Sequence, residues 1–132
     1  MNGLPIGLPM DVVILKPTTE ETYGDPPRIL TLPITRLDST QVGRFKQQYE
    51  AQVGGVPCHL GIDLSSVEFL DSAGLGALVA CHKHVRGLGG TTGLIAPRHM
   101  ILRLLEMTAL DKVLPVYASA EDFTNNSGVS RP

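Results

Sequence analysis

Short β-patterned runs that alternate with longer amphipathic ones predict an α/β or α+β domain, a mixed sheet with helices packed mainly on one side. Three observations carry this expectation. Aliphatic, often β-branched runs of strand length recur at Val12–Leu15, Arg28–Leu32, His59–Leu64, Thr91–Ala96 and Leu114–Tyr117. Stretches between them, beginning near Asp38, Asp71 and Pro97, place apolar residues at helical spacing instead. A chain of 132 residues is also the right size for one domain with a modest core.

Composition narrows the classes of function. Apolar residues make up 42% of the chain and charged residues 18%, with a formal net charge of −2, a globular balance that argues against disorder. No basic run or basic–aromatic cluster is present, so direct nucleic-acid binding is not expected. Met1 to Met10 lacks the charged start and apolar core of a signal peptide, and no apolar run could span a bilayer, so membrane insertion is not expected. Cys58 and Cys81 fall before a strand and inside a helix. That placement suits buried thiols in a reducing cytoplasm better than a disulfide framework.

Residues 1–10 read as an irregular lead-in. Val12–Leu15 and Arg28–Leu32 read as neighbouring antiparallel strands, joined by a long loop over 16–28 that Pro17, Gly24 and Pro26-Pro27 keep from being helical. Asp38 or Ser39 is expected to cap the first helix, with Gln41 completing a capping box. Val42, Phe45 and Tyr49 form its apolar face, and Gly54-Gly55 ends it. The strand His59–Leu64 runs into the turn-forming pair Ser65-Ser66. A helix opens at Asp71-Ser72, carries an apolar seam of Leu75, Leu78, Val79 and Val85 with His82 on the same side, and stops at Gly89-Gly90. Pro97 is expected in the first turn of the next helix, whose inward face is Ile101, Leu104, Leu105 and Thr108. Pro115 puts Leu114–Tyr117 at a sheet edge or a strand start. Ser119 caps a last short helix with Glu121 and Asp122 in its first turn, and residues 124–132 are expected as a polar, disordered tail.

Strand, loop and helix start converge on Asp71-Ser72, where unpaired N–H groups and the positive end of the dipole tolerate negative charge. A serine there is a cap, a nucleophile or a phosphate acceptor. Gly74 and Gly76 both follow Ser72 instead of framing it as G-x-S-x-G, which disfavours a nucleophile. His59 starts the strand leading in, at its opposite end, and His82 and His84 lie roughly 15 Å down the helix at 1.5 Å per residue; His99 stays open. Gly74 and Gly76 cost about 1 kcal/mol each against Ala in a helix. Either the close approach of a partner or close contact with the sheet accounts for them. Cys81 and His84 sit at i and i+3 but lack the further ligands that zinc requires, so no metal is expected.

Asp63-Leu64-Ser65, Val67, Phe69 and Asp71-Ser72-Ala73-Gly74-Leu75-Gly76 closely resemble the D-L-S-x-V-x-F-x-D-S-x-G-L-G signature of the STAS domain family. More narrowly they resemble the bacterial anti-sigma factor antagonists. The resemblance continues through Gly89-Gly90, Pro97 and Leu104–Lys112 and covers 11–123. It implies a single α/β domain with a mixed, mostly parallel sheet and helices mainly on one face. It also implies action by binding, with no catalytic residue and no cofactor. The unphosphorylated form would dock on an anti-sigma factor, often itself a serine protein kinase, and release the sigma factor. Phosphorylation of Ser72 would switch it off. The implied partner-binding residues are Asp38, Asp71, Ser72, Ala73, Gly74, Leu75 and Gly76, and a weak homodimer is kept open. A stressosome-like scaffold or a soluble STAS component of a transport system is the alternative. The chain departs from the pattern at Ala73, often Ser or Thr, and at Ala109, commonly Gly. It departs again at Thr35-Arg36-Leu37-Asp38, where a strand end commonly reads G-E-L-D. Arg36 thus replaces an acid while Asp38 keeps its place.

Overall fold

The computed structural model describes residues 26–126; the expected strand Val12–Leu15, its hairpin pairing, the lead-in and residues 127–132 lie outside them. Strands β1 (Arg28–Thr31), β2 (Arg36–Leu37), β3 (His59–Asp63), β4 (Phe69–Leu70), β5 (Thr91–Ile95) and β6 (Val116–Tyr117) alternate with helices α1 (Val42–Val53), α2 (Ser72–Gly87), α3 (His99–Met107) and α4 (Ala120–Asn126). A short 3-10 turn covers Leu110–Lys112. None of the described helices is long and apolar enough to cross a membrane.

Four strands form a sheet in the order β1-β3-β5-β6, and every pairing in it is parallel. Parallel neighbours cannot be joined by a tight hairpin, so each step between them carries a helix. The register sends Leu60, Ile62 and Leu94 to one face, where they join Phe45, Tyr49 and Val53 of α1, Leu78, Cys81 and Val85 of α2, and Ile101 and Leu105 of α3 in one buried cluster. Gly61 and Gly93 stand opposite each other on the second face. There Phe123 of α4 lies so close that a Cβ on Gly61 would come within 2.8 Å of its ring. Helices thus cover mainly one face, and among the described ones α4 alone covers the other. Pro115 precedes β6 at the sheet edge, as its missing N–H dictates.

Local details differ from expectation for identifiable reasons. The capping box at α1 does not form: Asp38 binds Thr40, the chain makes a turn closed by Gln41 N–H to Asp38 C=O at 2.9 Å, and the helix begins at Val42. In α2 Leu78 and Val85 are buried as expected, but Gly74 and Cys81 complete the seam while Leu75 and Val79 are half-buried, because glycine gives no hydrophobic signal in the sequence. Pro97 stays outside α3, which starts at His99 after an extended Arg98, and Thr108 is exposed, its hydroxyl bonded to the Leu104 and Leu105 carbonyls. Ser119 does cap α4 by accepting from Asp122 N–H at 3.0 Å, but the helix runs on to Asn126, past the expected boundary at Phe123.

A second, two-stranded parallel ladder, β2–β4, was not expected at all. It pairs Leu37 with Leu70, both buried, and is extended by Thr35 C=O, which accepts from the N–H groups of Glu68 at 2.7 Å and Phe69 at 3.0 Å. Leu37 C=O also fixes α2, because Gly74 comes so near that an added Cβ would meet that oxygen, and the Leu70 side chain at 2.6 Å. Gly76 has nothing within 4 Å of such a Cβ. Gly74→Ala should therefore lose about 1–3 kcal/mol by overpacking. Gly76→Ala should gain up to about 1 kcal/mol from helix propensity. Urea denaturation of the two variants checks this, and equal effects would show that Gly74 is not held by contact with β2.

Candidate functional site

The site lies where the β2–β4 ladder runs out into α2. Because Leu37 and Leu70 are paired in parallel, the next residue on each strand, Asp38 and Asp71, leaves the ladder at the same end. Asp71 stays extended at φ −101°, ψ −172°, and its Oδ1 accepts from Gly74 N–H at 2.9 Å, which caps α2. Ser72 is then the first helical residue. It is exposed, and among the described residues its hydroxyl has no partner. The capping role belongs to Asp71, and the Ser72 oxygen faces solvent at the positive end of a 16-residue helix.

Around it the charges are ordered. Asp38 Oδ1 accepts from the Thr40 hydroxyl at 2.6 Å and from Thr40 N–H at 3.0 Å, while Oδ2 meets Arg36 Nε at 3.4 Å. The Thr40 hydroxyl, then its N–H, hold the Asp38 carboxyl below its ordinary value, with Arg36 adding less and burial opposing. The Arg36 guanidinium lies over the Phe69 ring, 4.1 Å from its centroid. Arg98, just before α3, reaches the loop that precedes β4: its Nε donates to Ser65 C=O at 2.9 Å and its Nη2 sits 3.9 Å from Glu68.

An apolar groove of about 310 Å³ starts from the same ladder, lined by Phe69, Leu70, Met100, Ile101, Leu104 and Met107, with Glu68 and Arg103 also lining it. Its methionines are 75% and 78% exposed and Phe69 is 40% exposed, unusual values for large apolar side chains. Sequence reasoning missed this surface. The signal was available as two methionines seven residues apart on α3, outside its inward face.

Of the residues singled out in the sequence, Asp38, Asp71 and Ser72 come together and Gly76 lies exposed nearby on α2; Ala73 and Leu75 are half-buried, and Gly74 is buried against β2, so it shapes the site from beneath. None of the four histidines hydrogen-bonds Ser72. His59 bonds Thr91 at the far end of β3, His82 Nδ1 bonds Thr92 Oγ1 at 2.6 Å, and His84 lies against the Tyr49 ring at 5.5 Å. His99 is exposed at the start of α3. Burial, with Arg86 adding, pushes the His82 imidazole down. Burial, then Cys58, pushes the Cys81 thiol up to about 12. Among the described residues no three metal-ligating side chains form a group.

The electrostatics of Asp38 carry a testable sign. Its folded pKa lies below the ordinary value of 3.8, so its ionisation stabilises the fold above that pH, and the contribution is lost as pH falls through the folded pKa. In Thr40→Val the hydroxyl bond is gone while the N–H bond stays. The Asp38 carboxyl, followed by carbon NMR, should then titrate upward toward 3.8. An unmoved titration would show that the hydroxyl does not hold it.

The STAS domain family matches residues 16–123. The chain is 32% identical over 82 residues to an anti-sigma F factor antagonist of Paenibacillus polymyxa, covering 61% of this chain and 70% of that one. The crystal structure of an anti-sigma factor antagonist from Mycobacterium paratuberculosis superposes with a TM-score of 0.66 at 30% identity, over 75% of this chain and 83% of that one. An anti-sigma-factor antagonist (STAS) domain protein from Planctomyces limnophilus superposes with a TM-score of 0.64 at 27% identity, over 70% and 83% of the two chains. With the family match running through the parallel sheet, the ladder and the serine-bearing helix start alike, this chain belongs to the STAS domain family.

Proposed function

We propose that this protein is an anti-sigma factor antagonist that works by partner switching. The unphosphorylated form binds an anti-sigma factor through the face around Ser72 and so frees the sigma factor; phosphorylation of Ser72, by that partner acting as a serine kinase, ends the binding. The observation that carries this reading is the Ser72 hydroxyl, exposed and unpartnered among the described residues at a helix start that Asp71 already caps. No described residue consumes this hydroxyl, which supports its being open to modification. No histidine hydrogen-bonds it, which supports a binding module over an enzyme, since an activated serine needs a positioned base.

Phosphate adds about −1.5 to −2 charges. The dipole of α2 favours that charge, by roughly 0.3–1 kcal/mol, so the folded state accommodates it. An interface does not, because Asp38 and Asp71 already put negative charge at this end of the ladder and a partner docked there must desolvate the added phosphate, at a cost of several kcal/mol. The groove begins at Phe69 and Leu70, on the strand that leads to Ser72, which supports one partner that covers both Ser72 and the groove of Met100 and Met107. In this reading the apolar groove supplies affinity and Ser72 supplies control.

Two outcomes are expected. Ser72→Ala should change stability by less than about 0.5 kcal/mol, keep partner binding and take up no phosphate from the cognate kinase. Ser72→Asp should melt like the parent yet bind the anti-sigma factor roughly tenfold or more less tightly. Paired melting curves and binding titrations decide; loss of folding with normal binding by the folded fraction would make the switch conformational and overturn this account. Independently, Met100→Glu places a charge in the groove at an exposed position, so it should leave melting unchanged and lower affinity for the same partner. Undiminished affinity would take the groove out of the interface.

A further inference from the structure

Arg36 and Phe69 are cross-strand partners on the exposed face of the β2–β4 ladder, while Leu37 and Leu70 fill its buried face. Alternation along a strand carries Asp38 and the still extended Asp71 back to the face of Arg36. The Arg36 side chain is turned along the ladder toward that end, since its Nε reaches Asp38. Ser72 is the next residue after Asp71. A guanidinium, two carboxylates and an unpartnered serine hydroxyl thus share one end of a two-residue ladder.

The contact between Arg36 and Asp38 is loose. At 3.4 Å it is well beyond the roughly 2.7–2.9 Å of a well-formed charge-assisted hydrogen bond. Asp38 does not depend on it, because Oδ1 already takes both the hydroxyl and the N–H of Thr40. Arg36 can leave without orphaning a carboxylate. The guanidinium lies over the Phe69 ring, 4.1 Å from its centroid, and among the described residues its two Nη groups have no hydrogen-bond partner, so they are open to a planar, two-donor contact. Of the other arginines near β4, Arg98 is engaged with Ser65 C=O and Glu68, and Arg103 lines the groove with Met100 and Met107.

We propose that Arg36 senses the phosphate: when Ser72 is phosphorylated, the guanidinium exchanges Asp38 for the phosphate and pairs with it through two N–H donors. This rests on the reading of Ser72 as the phosphorylated residue. A dianionic phosphate outcompetes a single carboxylate for one cation, and the stacked Phe69 keeps the guanidinium within the same face during the exchange. The exchange has two effects. The phosphorylated chain supplies its own counter-charge, and the same step withdraws from the docking face a cation that the unphosphorylated chain presents there.

The test installs phosphoserine directly at position 72 of the full chain by an expanded genetic code, so that no kinase is needed. Phosphorus NMR then follows the phosphate between about pH 4 and 8, around its second pKa of about 6. With Arg36 present the phosphate should titrate about half a unit or more lower than in Arg36→Gln, since a paired cation favours the dianion. Arg36→Lys, which keeps the charge but lacks the two-donor geometry, should fall between the two and also serves if Arg36→Gln fails to fold. Coincident titrations of the parent and the charge-removing variant would overturn the proposal. Kinase labelling is scored separately. A kinase that leaves Ser72 unlabelled while Arg36 still shifts the installed phosphate defeats the functional reading and not this pairing, and the converse result defeats only the pairing.

Discussion

The contact between Gly74 and the Leu37 carbonyl sets the geometry of the whole site. It seats the first turn of α2 directly on the end of a strand, with no side chain between them. From that seat the helix runs down the sheet through Leu78, Cys81 and Val85, all fully buried. Because the ladder is parallel and only two residues long, the same seat brings Asp38 alongside Asp71 and leaves Ser72 facing outward. A larger residue at position 74 would lift the helix start from the ladder and separate the groups that make the site.

Much of this was legible in the sequence. The order of strands and helices, the glycine stops after α1 and α2 and the helix start at Asp71-Ser72 each follow from spacing and from turn chemistry. The β2–β4 ladder was not legible, since two residues per strand carry no period and the pairing partner lies more than thirty residues away. Asp38 is the instructive miss. Its spacing to Gln41 satisfies the capping-box pattern, but Thr40 offers it two donors at once, and that local pair wins over the more distant backbone groups. Gly74 was ambiguous in sequence between an open approach and a close contact. Only the position of the Leu37 carbonyl decides, and it separates Gly74 from the open Gly76.

The start of α2 is held by atoms other than the Ser72 hydroxyl. Asp71 provides the cap and Gly74 the seat, so the helix does not draw on the Ser72 hydroxyl. Ser72 can therefore change without disturbing the element that presents it. The loop on the other side is fastened in a similar way, with Asp63 Oδ1 accepting from Ser65 N–H at 2.9 Å and Arg98 holding Ser65 C=O. The site is thereby framed by short polar ties that leave its central oxygen uncommitted.

The glycine pair at the centre of the sheet has a consequence for how the molecule opens. Gly61 and Gly93 present bare backbone on the second face, and α4 rests there through Phe123, whose ring meets Tyr117 edge-on at 5.3 Å. A seven-residue helix held mainly by one aromatic plug is a small cooperative unit, whereas α1, α2 and α3 share one continuous apolar cluster. Two tiers of protection against amide exchange follow: a shallow one for α4, reached by withdrawing one ring, and a deep one that requires dismantling the cluster. Ser72, at the start of α2, is mounted on the deep tier. Helix α4 can therefore come and go on the sheet while the start of α2 keeps its shape.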